Sequence, residues 1–123
     1  MEKTLHFGGR DVKFRATMRT LLLYKQQTGR EYMADVQKLS GLVKLGADKK
    51  PILGEDGKPI IDLAYLDTEA LCAVAWAMAK TADANTAPLM DWLDEFDEFP
   101  LLSILADLIP MLNDFMKPDA KNA

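Results

Sequence analysis

The chain has 123 residues, of which 49% are hydrophobic and 28% charged, and its formal net charge is −4. This length suits one domain and is too short for two independent cores. The longest apolar run, residues 70–79, is about half of what a membrane-spanning helix needs, and the first ten residues hold no apolar signal-peptide core. A single cysteine, Cys72, excludes an internal disulfide and favours a reducing compartment, so we expect a cytoplasmic protein.

Charge is divided unevenly along the chain. Residues 1–62 hold 12 Lys/Arg and 8 Asp/Glu, a net charge of +4, whereas residues 63–123 hold 3 and 11, a net charge of −8. The division indicates either attraction between the two halves of one subunit or head-to-tail contacts between subunits. Contacts of the second kind generate rings or helical filaments.

The N-terminal residues predict a β-hairpin. Two adjacent glycines, Gly8 and Gly9, supply the positive φ that a tight turn requires. Apolar residues alternate with polar ones on both sides of that turn: Leu5, Phe7, Val12 and Phe14.

Two helices are predicted after the hairpin. The first begins at the capping residue Thr17 and continues to about Thr28, and the second extends from about Glu31 to Leu45. Gly41 weakens the second prediction by about 1 kcal/mol relative to alanine.

Residues 46–62, "GADKKPILGEDGKPIID", interrupt the helical pattern. The near-repeat "KPIL" and "KPII" is joined by "GEDG", and glycines and prolines surround it. A protruding hairpin and a mobile loop both fit this composition. A structureless loop of this length is unusual in a compact domain, so such a loop is either functional or disordered. We call the segment the excursion and favour a flexible one.

A central helix should follow from Asp67 to about Ala82, with apolar residues nearly all round, so it must be covered on more than one side. Its Cys72 is predicted to be a small core residue. The last apolar segment, residues 100–117, has a narrow polar stripe, and Pro110 should bend or break its helix near residues 106–109.

The stretch "DWLDEFDEF", residues 91–99, holds five carboxylates around four apolar residues. Helical spacing from Leu89 places Trp92, Leu93 and Phe96 on one stripe, and most of the acids on the opposite, solvated arc. Catalytic carboxylate pairs need an apolar pocket, and calcium loops need alternating ligands around a glycine. Neither pattern is present, and a single His6 beside a single Cys72 cannot build a zinc site. The sequence therefore predicts no catalytic residue, cofactor or metal.

The apolar residues of the C-terminal half are numerous for so small a chain. They either pack on one another or form a self-association or partner surface. For the second case we predict a surface made of Leu89, Trp92, Leu93, Phe96, Phe99, Leu102, Leu105, Ile109, Leu112 and Phe115. The adaptable side chains of Met90, Met111 and Met116 add to it.

Three runs together resemble a known family: "FRATMRTLLLYKQQTGREYMADVQKL" (14–39), "YLDTEALCAVAWAMAKTAD" (65–83) and "MDWLDEFDEF" (90–99). They look like the tail assembly chaperones of long-tailed phages that infect Gram-positive bacteria. The resemblance implies a non-catalytic protein that oligomerises and coats the tape measure protein while tail tube subunits polymerise around it. The implied partners are the tape measure protein, further copies of the chain and the tail tube protein, with no nucleic acid and no membrane. The implied location is the cytoplasm of the bacterial host, and absence from the mature virion.

We therefore expect a single tail-assembly-chaperone-like domain over residues 1–123, with the excursion at 46–62 and a polar tail at 117–123. Its fold should be mainly helical α+β, with an N-terminal hairpin and four to five helices. Two alternatives remain open: an acidic regulatory or adaptor protein that binds a basic partner through residues 91–98, and a small enzyme. The regulator predicts salt-sensitive binding, and the enzyme predicts a defined pocket.

Overall fold

A computed structural model describes residues 2–112 and residue 115. An antiparallel hairpin is followed by five α-helices, so the predicted mainly helical α+β fold is confirmed. The predicted polar tail at 117–123 lies outside the described residues. The strands are β1 (Glu2–Phe7) and β2 (Arg10–Arg15), and the helices are α1 (Met18–Thr28), α2 (Tyr32–Ser40), α3 (Thr68–Ala82), α4 (Leu89–Asp94) and α5 (Leu101–Leu108).

The hairpin turns at the predicted glycines, where Gly8 has φ +59° and Gly9 has φ +79°. Register pairs Leu5 with Val12, and Phe7, Val12 and Phe14 are buried on one face of the hairpin. Gly8 is also a point of close approach, because a Cβ there would lie 2.9 Å from Cδ1 of Phe96. The hairpin is therefore held against the segment that follows α4.

The first helix has the predicted bounds, with a reciprocal capping box between Thr17 and Thr20. The second prediction was wrong at its end, since α2 stops at Ser40 and not at Leu45. Gly41 is its C-terminal cap, and beyond it the backbone changes partners: the Lys44 N–H donates to the carbonyl of Ile60 at 2.9 Å. Pairing with the excursion thus competes with continuation of the helix.

The third helix is the centre of the molecule, as predicted. Asp67 caps it by accepting from the Ala70 N–H at 3.0 Å. Most of its middle turns are fully buried, and Trp76 donates from Nε1 to the carbonyl of Ala87 at 2.8 Å. Cys72 is only half-buried, and burial raises the pKa of its thiol. Small alanines along α3 allow the hairpin and the other helices to approach it closely.

Pro110 interrupts the C-terminal helix as predicted. The regular α-helix ends at Leu108, and a 3₁₀ turn spans Ile109–Met111. The segment is held to α2 by the buried hydroxyl of Tyr32, which donates to the carbonyl of Leu112 at 2.7 Å. This bond fixes the C-terminal apolar residues against the same core as α3.

Candidate interaction surface

Half of the ten residues of the predicted partner surface belong to the buried core, and four more pack against it. Trp92 is 2% exposed and Leu105 is 0% exposed, so neither side chain is accessible to a partner in the folded subunit. Leu89, Phe96 and Leu112 are buried as well. The partly buried members are Leu93, Phe99, Ile109 and Phe115. Only Leu102 is exposed.

The aromatic stripe is covered by the hairpin. The ring centroids of Phe7 and Phe96 lie 4.9 Å apart, those of Phe7 and Phe99 5.4 Å, and those of Trp92 and Phe96 5.1 Å. The Arg10 guanidinium lies 4.6 Å above the Phe96 ring, in range of a cation–π interaction. The large apolar area of this stripe is thus used inside the subunit.

The five acids of residues 91–98 are exposed, in agreement with the predicted solvated face. Glu95 accepts from Arg10 at 2.8 Å. Across residues 2–112 and 115, no cluster of His, Cys, Asp and Glu side chains has the arrangement of a metal site. The acidic stretch therefore contributes a charged outer surface.

A polar network joins α1, α2 and the residue that caps α3. Asp35, almost fully buried, accepts from the hydroxyl of Tyr24 and from Arg30 at 3.0 Å. Arg30 also donates to Asp67 at 2.8 Å. Each buried polar group in this network has a partner, as a low-dielectric interior requires. We assign the network to the positioning of the three helices.

Ion pairs cross between the basic and acidic halves of the chain within one subunit. Arg30 binds Asp67, and Lys58 binds Asp107 at 3.0 Å. The division of charge therefore contributes to attraction inside the subunit, the first of the two interpretations above.

The exposed apolar surface lies on the excursion and its flanks. Among the described residues, ten large hydrophobic side chains are exposed, and six of these lie between residues 45 and 65. Tyr65 is 80% exposed and Leu53 is 58% exposed, values that are unusual for such large apolar side chains. The six are Leu45, Ile52, Leu53, Ile60, Leu63 and Tyr65. We call this set the 45–65 surface.

The backbone of the excursion is hydrogen-bonded. The Lys44 N–H donates to Ile60, the Ile60 N–H to Ile52, and the Ile52 N–H to Lys44, each at 2.9 Å. These bonds form a closed ring of three residues spaced eight apart. At its base the Asp62 N–H donates to Leu42 at 2.7 Å. Of the two forms that the composition allowed, the described structure is a protruding hairpin-like unit.

Two clefts flank this unit. One, of about 440 Å³, lies between the excursion and α5 and is lined by Ile60, Leu63, Leu102 and Ala106 among others. The other, of about 300 Å³, lies beside the end of α2, where Tyr65, Leu39 and Leu42 form apolar walls and Lys38 and Asp67 supply charges. Each cleft thus combines apolar walls with a few polar side chains, which in the larger cleft are Asp56, Lys58 and Ser103.

Comparisons with models of protein families, with characterised proteins and with solved structures find no match to this chain. Within the described residues, no helix has the length and apolar character needed to cross a membrane.

Sequence reasoning missed the 45–65 surface, although a signal was present. The apolar residues of the excursion show neither helical nor strand periodicity, and glycines and prolines dominate the segment. The useful signal is the eight-residue spacing of "GADKKPIL" and "GEDGKPII", which extends the near-repeat of "KPIL" and "KPII" to the whole of each segment. Recurrence at a fixed period indicates repeated local structure.

Proposed function

We propose that the protein is a non-catalytic assembly chaperone that oligomerises and binds the tape measure protein of a long-tailed phage. The observation that carries the chaperone part is the 45–65 surface, a set of large apolar side chains exposed on a hydrogen-bonded support. The family resemblance of residues 14–39, 65–83 and 90–99 supports the choice of client. The proposal thus moves the client surface from Trp92 and Phe96 to the excursion.

The physical role of this surface is capture of apolar side chains from a client. Burying a leucine or isoleucine side chain contributes about 1.5–3 kcal/mol. Several such side chains acting together suffice for specific binding after the costs of association are subtracted. A long helical client presents apolar residues at three- and four-residue spacing, which is the helix-in-groove mode of recognition. Many weakly bound copies along one rod would keep it soluble.

The proposal is tested by co-expression with the tape measure protein and measurement of soluble complex. Replacing Leu53 and Tyr65 together by serine should sharply reduce capture, because it removes two apolar side chains of the 45–65 surface. Both side chains are exposed and contribute little to the fold, so the variant should still fold. The matched control replaces two other exposed apolar residues by serine, Met18 and Leu22 on α1. It should leave capture unchanged. Equal capture by both double variants would contradict the assignment of the surface.

Oligomerisation is tested separately by size exclusion with light scattering. We expect species larger than a dimer at moderate concentration. A monomer over a wide concentration range would contradict this part of the proposal.

A second candidate function, an acidic adaptor for a basic partner, is favoured by one observation. Of the five exposed acids between Asp91 and Glu98, only Glu95 forms an ion pair within the described part of the chain. Salt separates the two functions, since the attraction between exposed charges is largely screened beyond about 10 Å at 0.1 M ionic strength, whereas apolar contacts are not screened. Capture that is lost between low and moderate salt would favour the adaptor.

A further inference from the structure

The excursion consists of two lobes that fold alike. The first lobe is residues 46–53 and the second lobe is residues 54–61. In the first lobe, the Gly46 N–H donates to the Lys50 carbonyl at 2.9 Å. In the second lobe, the Gly54 N–H donates to the Lys58 carbonyl at 2.8 Å. Asp48 and Asp56 each accept from the backbone N–H two residues later at 3.0 Å. The two lobes thus present their lysines from the same backbone arrangement.

Their surroundings differ. In the second lobe, Nζ of Lys58 donates to Oγ of Ser103 at 2.6 Å and to Oδ2 of Asp107 at 3.0 Å. Pro59 and Ile61 are half-buried and line the cleft between the excursion and α5 together with Leu102. Through Lys58 the second lobe is thus bound to a helix, α5. They show which chemistry this lobe geometry binds: a hydroxyl and a carboxylate one helical turn apart, next to an apolar stripe.

The first lobe has the same groups without such a helix. Lys50, Pro51 and Leu53 are exposed, whereas their counterparts Lys58, Pro59 and Ile61 are half-buried. Within residues 2–112 and 115, the side chain of Lys50 forms neither a hydrogen bond nor an ion pair. The backbone of the lobe is nevertheless hydrogen-bonded, since Ile52 belongs to the closed ring that it forms with Lys44 and Ile60.

We propose that the first lobe is a docking site for an amphipathic helix of the client. The helix should carry a Ser or Thr and, four residues later, an Asp or Glu, beside an apolar stripe, as α5 does at Ser103 and Asp107. Lys50 would bind the carboxylate and hydroxyl, and Leu53 the stripe. Positive charge at Lys44 and Lys50 is complementary to an acidic helix. The identity of the occupant as the client rests on the proposed function, whereas the chemistry of the helix rests on the lobes alone.

Two features give this docking specificity. Residues at i and i+4 lie on one face of a helix, about 5–6 Å apart, so one ammonium group reaches both oxygens. Hydrogen bonds between charged groups are stronger than neutral ones, and a carboxylate replaced by an amide loses this advantage. A lobe that is already ordered also binds with a smaller entropic cost.

The probe is a fluorescent helical peptide of about 20 residues, a length that supports helix formation in water. It places the sequence of residues 101–108 in an alanine-based host. We expect the full-length protein to bind it, and Lys50→Gln to weaken binding about tenfold, the loss typical of a charge-assisted hydrogen bond. A peptide with Asn in place of the aspartate should show the same loss with the unaltered protein, and no further loss with Lys50→Gln.

The matched control is Lys49→Gln, which removes the same charge one residue away and has no counterpart lysine in the second lobe. It should change peptide affinity less than twofold. Equal losses for both lysine variants would show unspecific charge attraction and overturn the proposal. Absence of peptide binding to the unaltered protein would overturn it as well.

Two further outcomes separate this inference from the proposed function. If Lys50→Gln loses the peptide but the unaltered protein never captures the tape measure protein, the docking chemistry stands and the proposed client is wrong. If capture persists in Lys50→Gln and no peptide binds, the client stands and the docking site is wrong. If Lys50→Gln dissolves an oligomer and the peptide does not bind, the occupant is a second copy of the chain, which also overturns the proposal.

Discussion

Arg30 donates from Nη2 to Oδ2 of Asp67 across 2.8 Å, and this pair joins the turn after α1 to the residue that caps α3. The bond from the Ala70 N–H and the bond from Arg30 both lower the pKa of Asp67 below its ordinary value of 3.8. Asp67 therefore binds its proton less readily in the folded state than in the unfolded state. Its stabilising effect is present above the unfolded pKa and is lost as the pH falls through the folded pKa.

We predict that Asp67→Asn reduces the free energy of unfolding at pH 7 by about 1 kcal/mol, the scale of a partly exposed ion pair. Asparagine is also a good helix cap, so the bond from Ala70 is kept. The variant should lose less stability than the unaltered protein when the pH is lowered from 7 to 3. Urea unfolding at both pH values measures this, and an unchanged acid sensitivity would contradict it.

Trp92→Ala should reduce the free energy of unfolding by about 3–5 kcal/mol, the range for truncation of a core aromatic residue. The side chain is buried against Phe96 and Phe99. Trp76→Ala should have a cost of the same order, since Trp76 is buried on α3. Denaturant unfolding of both variants is the measurement. A cost well below that of Trp76→Ala would place Trp92 on the surface.

Gly8→Ala should be much more destabilising than Gly9→Ala. Both glycines have positive φ, but a Cβ at Gly8 would lie 2.9 Å from Phe96 and 3.1 Å from the Glu98 carbonyl, whereas nothing lies within 4 Å at Gly9. We expect about 1 kcal/mol for Gly9→Ala from the backbone conformation alone, and at least about 1 kcal/mol more for Gly8→Ala from overpacking. Thermal unfolding of the pair provides the comparison, and equal costs would show that the hairpin does not contact residues 96–98.

Lys49→Gly should stabilise the protein by about 0.5–1 kcal/mol. Lys49 has φ 63°, a left-handed conformation that costs a side-chain-bearing residue about 1–2 kcal/mol and that glycine adopts freely. The second lobe has glycine at the corresponding position, Gly57, with φ 77°. The reverse change, Gly57→Lys, should destabilise by a similar amount. Unfolding curves that shift in the same direction for both variants would contradict the equivalence of the lobes.

Replacing Asp94 and Glu95 together by Asn and Gln should change the free energy of unfolding by less than about 1 kcal/mol, as for exposed charges generally. Both side chains are exposed, and only the pair between Glu95 and Arg10 is lost. Chemical denaturation is the test. Loss of folding, or of a divalent-ion affinity present before substitution, would refute the solvated-face interpretation.

The elements that could be predicted from the sequence are those with local causes. Alternation around Gly8 and Gly9 specifies a hairpin, the carboxylate of Asp67 caps a helix, and Pro110 removes a helical hydrogen bond. Each of these acts within a few residues of itself. Their bounds in the structure differ little from the predicted ones.

What could not be predicted depends on distant parts of the chain. The spacing of Trp92 and Phe96 indicates an apolar stripe, but it does not indicate what covers the stripe, and the hairpin more than 80 residues earlier does so. The end of α2 was misplaced for the same reason, since the Lys44 N–H finds its acceptor at Ile60. The 45–65 surface was missed because its residues lie in and around turns. Turns have neither a helical nor a strand period, so the sequence pattern does not show which of their side chains are exposed.

The base of the excursion, where Leu42 and Asp62 are hydrogen-bonded, makes the segment exchangeable. The chain leaves the end of α2 at Leu42 and returns towards α3 at Asp62, and these two residues are hydrogen-bonded to each other. The spacing between the two helices is therefore not set by the residues of the excursion. Lengthening such a segment adds only a small loop-closure cost, about 0.6 kcal/mol for each doubling. Under the proposed docking role, transplanting the eight residues of the first lobe should change which helix is bound, with the framework of α1, α2 and α3 left intact.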